Sequence, residues 1–179
     1  MAPLPFPVPA ALALLVAIAA VLDARSRTVP NWLTVSGAVL GIALHVSAAG
    51  WAGAKFSLLG LGLGFAIFLP LFALRGMGGG DVKLMAAIGA MAGAGNTFVI
   101  FLFTAVLGGI LALGLVLWKG ALGRTLRNIG FIGQRLARGT APHQERPELD
   151  VEQAGGIKLP YAIPMAMGTL LLLLASLRL

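Results

Sequence analysis

Two carboxylates stand where an apolar chain tolerates them least. Of the six acidic residues, Glu145, Glu148, Asp150 and Glu152 share one polar stretch, while Asp23 and Asp81 border apolar runs. A carboxylate at the centre of a spanning helix costs about 2.5–3.5 kcal/mol on insertion scales, and less near the interface. An acid kept at a membrane edge therefore reads as a functional group. Two such acids can divide general acid–base work. One, ionised, takes a proton from water, and the other, protonated, gives one to a carbonyl oxygen. Asp81 follows Gly76-Met77-Gly78-Gly79-Gly80, and Lys83 stands two residues on. A glycine run lets backbone approach a ligand and permits positive φ. At a helix start it also leaves N–H groups to stabilise developing negative charge. Asp23 is followed by Arg25, Arg27 and a Pro30-Asn31 turn.

The elements that must hold these acids show in the gaps between charges. Apolar residues make up 59% of the 179 and charged residues 11%, with a net charge of +7 and no Cys. A soluble domain carries roughly 25% charged residues, so soluble globular, disordered and disulfide-scaffold classes are excluded. The basic balance does not point to nucleic acid, because a binding face needs solvated surface that this chain lacks. Residues 1–22, 28–54, 56–74, 84–118 and 159–177 carry no charge. A spanning helix needs about 20 apolar residues, so four of the five runs fit one span each. The run 84–118 divides at Gly93-Ala94-Gly95-Asn96-Thr97, a turn signal. The expectation is an all-α polytopic membrane protein, a single domain over 1–179. It is a bundle of six transmembrane helices at about 4–22, 31–49, 55–74, 81–94, 97–118 and 159–177. A transmembrane barrel is excluded, since its strands alternate polar and apolar residues. Gly37 and Gly41, Gly60 and Gly64, and Ala86, Gly89, Ala90 and Gly93 recur at the spacing of close helix packing.

Lys and Arg concentrate in cytoplasmic loops. One alternating set of loops holds eleven of them, and the other set, with both termini, holds only Lys55 and Arg178. Both termini are thus expected outside. Residues 1–22 have the length of a signal peptide, but no basic residue precedes the run. Two spans separate Asp23 from Asp81, so both acids fall on the cytoplasmic side, where packing can bring them together. The cytoplasmic loop 119–158 carries Leu122, Leu126, Ile129, Ile132 and Leu136 on one helical stripe, with Arg124, Arg127, Arg135 and Arg138 on another. That pattern suits a helix resting on anionic lipid. His143 among the loop acids matches no metal-ligand spacing and reads as solvated. His45 lies in an apolar run and reads as a packed histidine. No Walker or Rossmann glycine pattern is present.

Three blocks resemble the type IV prepilin peptidases, membrane aspartyl proteases of the GxGD type. The stretch Asp23-Ala-Arg-Ser-Arg-Thr-Val-Pro30-Asn31 is similar to the family's first block. Gly76 through Asp81 to Gly89 is closely similar to the second, and Leu159-Pro160-Tyr161 with Gly168 more weakly to the opening of the last helix. The resemblance implies that Asp23 and Asp81 are the catalytic pair, with no metal, no cofactor and no covalent intermediate. Gly76, Met77, Gly78, Gly79, Gly80 and Lys83 would form the active-site loop, and Pro30, Asn31, Pro160 and Tyr161 would be candidates for positioning substrate. The implied substrates are prepilins or pseudopilins, cleaved after Gly at the cytoplasmic face of a bacterial inner membrane. Longer members carry a Cys-bearing N-terminal domain tied to methylation. Its absence here implies the short form that serves tight-adherence pili. Two other expectations compete: a small transporter subunit using both acids as a proton relay, and a different GxGD protease.

Overall fold

A computed structural model describes residues 4–74, 77–120, 122, 123, 125, 127, 130, 131 and 160–176. No strand occurs among the described residues. The helices that build the site are α1 (Val8–Ser26), α2 (Asn31–Ala73), α3 (Gly79–Trp118) and α4 (Ala162–Ser176). The first three are long and apolar enough to cross a membrane, and α4 is a shorter apolar helix.

Neither α2 nor α3 is straight. In α2, Ala49 (φ −140°, ψ 17°) and Gly50 (φ 54°, ψ −130°) leave the helical region. Across this break the His45 carbonyl lies against Gly53, and the His45 ring meets Phe56 at 4.9 Å. A straight helix would hold residues 45 and 56 about 16 Å apart, so α2 doubles back on itself. In α3 the break is Gly93 (φ 75°, ψ 163°), a conformation that only glycine adopts cheaply. Gly64 abuts Met85, and one turn along α2, Phe68 meets Phe101 edge-on at 5.9 Å. Sixteen residues of straight helix would separate Met85 from Phe101 by about 24 Å, so α3 also reverses. The described chain is thereby laid out in helical segments 8–26, 31–48, 51–73, 79–92, 94–118 and 162–176.

Several boundaries differ from the sequence expectation. α1 begins at Val8 rather than near residue 4, because Pro7 stands at its N-cap, and runs on to Ser26 until Arg27 adopts a left-handed conformation (φ 55°). Asp23 therefore sits in the last turn of α1, not after it. The turn expected over 50–54 shrinks to Ala49-Gly50, and the helix expected from 81 begins at Gly79. The loop 119–158, apart from Lys119, Gly120 and the scattered positions given above, lies outside the described residues, as do Arg75 and Gly76.

The two long hairpins close on small residues. A Cβ on Gly60 would strike the Gly89 carbonyl oxygen and the Gly93 Cα, and one on Gly89 would strike the Gly60 carbonyl. Gly41 is also held close to backbone, its Cβ falling 2.9 Å from the Met91 nitrogen. Backbones in contact at this distance replace apolar side chains as the source of packing in lipid. Segment 79–92 is consequently wrapped on all sides, with Leu84 to Gly93 buried throughout.

The reversal at Gly93 leaves the last carbonyls of 79–92 in need of other donors. Ser57 Oγ donates to the Ala90 carbonyl at 2.6 Å. His45 Nε2 lies 2.8 Å from the Met91 carbonyl. A carbonyl only accepts, so the His45 ring carries its proton on Nε2. Leaving a buried carbonyl unmet costs about 1–3 kcal/mol. Ser57→Ala, or His45→Phe with its ring kept against Phe56, should each lower the thermal midpoint in detergent. Midpoints equal to the parent's would remove this capping role.

Candidate active site

The Asp23 end of α1 is shaped by its own sequence. Arg27 takes the left-handed cap position, and its N–H donates to the Asp23 carbonyl at 2.9 Å. The chain then runs extended into Pro30, the N-cap of α2 (φ −70°, ψ 144°), since the residue before a proline is steered away from helix. The Asp23 side chain points inward, only 5% exposed. A buried carboxylate needs hydrogen-bond partners. One comes from the far end of the chain, where the backbone N–H of Ala162 donates to Asp23 Oδ2 at 3.0 Å. The charge of Arg27 also acts on this carboxyl.

Asp81 lies in the first turn of α3, three residues after its N-cap Gly78. Its carboxyl accepts a hydrogen bond from the Gly78 backbone N–H. An acid at this position commonly reaches back to the N-cap in this way. The Asp23 and Asp81 carboxyls are close enough for the charge of one to act on the other, and Asp81 acts in turn on the Tyr161 phenol. The ends of α1, α3 and α4 thus meet around two acids.

The glycine loop serves close approach. None of Gly78, Gly79 and Gly80 has positive φ, so the conformational freedom expected of the run is not what these three positions use. A Cβ on Gly80 would lie 3.4 Å from the nitrogen, oxygen and Cβ of Val29, and one on Gly79 would lie 3.3 Å from the Phe72 ring. Val29 is buried, so the turn between α1 and α2 passes directly over the Asp81 loop. Lys83 Nζ donates to Asn31 Oδ1 at 2.9 Å, tying the same two segments at the exposed edge. Met77 is buried in the core cluster and anchors the loop from below. Pro160 is half-buried, and its carbonyl accepts from Ile163 N–H at 3.1 Å.

Of the residues singled out in the sequence, the structure gathers Asp23, Asp81, Gly78, Gly79, Gly80, Lys83, Asn31, Pro30 and Tyr161 about one end of the helices. Gly76 falls outside the described residues. Among the described residues no group of three or more His, Cys, Asp or Glu is placed to hold a metal. Sequence reasoning missed the Ala162 N–H, because a backbone donor carries no residue signature. The available signal is generic: the first N–H groups of any helix want an acceptor.

The fold and this site define a helical membrane protein with an acid pair gathered where its helices end. The sequence profile of the type IV leader peptidase family matches residues 10–113, a span that includes both Asp23 and Asp81. The chain belongs to that family and is a peptidase. Comparison with curated proteins and with solved structures gives no match.

Proposed function

We propose that this peptidase is a membrane-embedded aspartyl endopeptidase that removes the leader of prepilins or pseudopilins after a Gly. The observation that carries the proposal is the placement of Asp23 and Asp81, acids far apart in the chain, near enough for the charge of one to act on the other. A water bound between them loses a proton to the ionised carboxylate as its oxygen bonds to the scissile carbonyl carbon. The protonated partner gives its proton to the carbonyl oxygen. As the tetrahedral gem-diol collapses, one hydroxyl returns its proton to the carboxylate that had protonated the carbonyl, the C–N bond breaks, and the proton taken from water passes to the leaving amine. The acids regain their starting states, and no covalent intermediate forms.

In this proposal the six helical segments each cross the bacterial inner membrane, with both termini outside and Asp23 and Asp81 at the cytoplasmic face. The charge asymmetry of the loops supports this orientation. The chain has no native Cys, so single introduced cysteines report cleanly. Thr140→Cys should label only from the cytoplasmic side, and Gly50→Cys only from outside. Reversed labelling at both positions would overturn the orientation. The activity is tested with purified protein and a prepilin in detergent. Mass spectrometry should find one cut after Gly, between a basic leader and an apolar helix. An intact prepilin alongside cleavage of other membrane peptides would assign the chain a different substrate class.

A further inference from the structure

The hydrogen bond from the Ala162 N–H to Asp23 Oδ2 has more than packing to explain it. Tyr161 is the N-cap of α4, its carbonyl accepting from Met165 N–H at 3.3 Å, which makes Ala162 the first helical residue. The N–H at that position has no acceptor within its own helix. Asp23, on a helix 139 residues away in sequence, supplies one. Both groups are buried, with Ala162 at 0% and Asp23 at 5% exposure. A carboxyl on an aliphatic stem rotates freely unless something holds it. Here one of its oxygens is held. Asp81 is held in the corresponding way by the Gly78 N–H. α1 also rests mainly on α4 and only lightly on α2 and α3, so the bond sits within the principal contact of α1.

We propose that Ala162 is a positioning residue of the peptidase, whose backbone N–H fixes the Asp23 carboxyl for reaction with Asp81 and water. The inference rests on the acid-pair function proposed above. α4 then supplies no reacting group, yet catalysis depends on where its first N–H lies. A misplacement near 1 Å can cost about 100-fold in rate.

The test removes the N–H and keeps the fold. Replacing the Ala162 amide by an ester, through an α-hydroxy acid introduced at that position, deletes the donor without adding an atom. Ala162→Pro also deletes it, and proline is tolerated at a first helical position. Ala162→Gly keeps the donor. With a prepilin-type peptide as substrate, the ester and proline forms should lose about 10–100-fold in kcat with KM within about 2-fold. The glycine form should stay near the parent rate. A folded ester form with parental kcat overturns the proposal, as does a glycine form as slow as the ester. Asp23→Asn measured alongside separates the two levels of the argument. If it retains activity, the acid-pair function fails. If it is inactive while the ester form is not, only the positioning role fails.

Discussion

Asp23→Asn and Asp81→Asn should each abolish cleavage in a protein that still inserts and folds. Asparagine keeps the shape of the side chain and an acceptor oxygen, so Asn at 23 can still take the Ala162 N–H, and Asn at 81 the Gly78 N–H. What is lost is the exchange of protons, worth on the order of 10²–10⁴-fold for each acid or base. The double variant should be no slower than either single one, because groups that act as a unit are not additive. Activity of the parent should be bell-shaped in pH, since one carboxyl must be ionised and its neighbour protonated, and the two titrate as a pair. Single-turnover assays on samples matched for thermal midpoint check all three statements. Near-parental cleavage by either single variant would remove the aspartyl mechanism.

One methyl group at Gly60 or Gly89 should cost almost as much by a different route. In Gly60→Ala the new Cβ meets the Gly89 carbonyl and the Gly93 Cα, and in Gly89→Ala it meets the Gly60 carbonyl. These neighbours are backbone, so no side chain can swing aside. Overpacking of this kind costs about 1–3 kcal/mol and sometimes more. The strain also falls on segment 79–92, which carries Asp81 in its first turn. Both variants should lower the thermal midpoint and reduce cleavage more than about tenfold. Gly62→Ala is the control. Its Cβ would meet nothing within 4 Å, and alanine favours helix by about 0.5–1 kcal/mol over glycine, so its midpoint should hold or rise. Equal effects at positions 60, 62 and 89 would show that helix propensity, not backbone contact, sets stability here.

The helical, apolar character of the chain is legible from the charge gaps alone, because lipid imposes one composition on every segment that enters it. The glycine pairs at 60/64 and 89/93 are legible as packing surface, since small residues at that spacing have few other uses in a membrane helix. Gly93 is visible as a turn signal, but the sharpness of the reversal at Ala49-Gly50 is not. A single positive-φ glycine there does what a five-residue loop was expected to do. The placement of Asp23 is legible only to within a turn, because where α1 ends depends on Arg27 adopting a left-handed conformation that its side chain does not advertise. Two groups of contacts lie beyond a reading of residue types. Val29 over Gly80 and Ala162 on Asp23 both involve backbone atoms, which every residue offers. His45 reads as a packed histidine, and only the break at Gly93 explains what it and Ser57 are for.

The dependence of α1 on α4 has a consequence for biosynthesis. Both acids have left the ribosome long before Ala162 is made, and the family match itself ends at residue 113. A nascent chain at that stage carries both acids, while its first helix still lacks its main neighbour and Asp23 lacks the N–H that holds it. Under the proposed positioning role, proteolytic competence waits until α4 has been made. On that proposal the peptidase is inert while its earlier segments insert, and synthesis of α4 serves as its activation step.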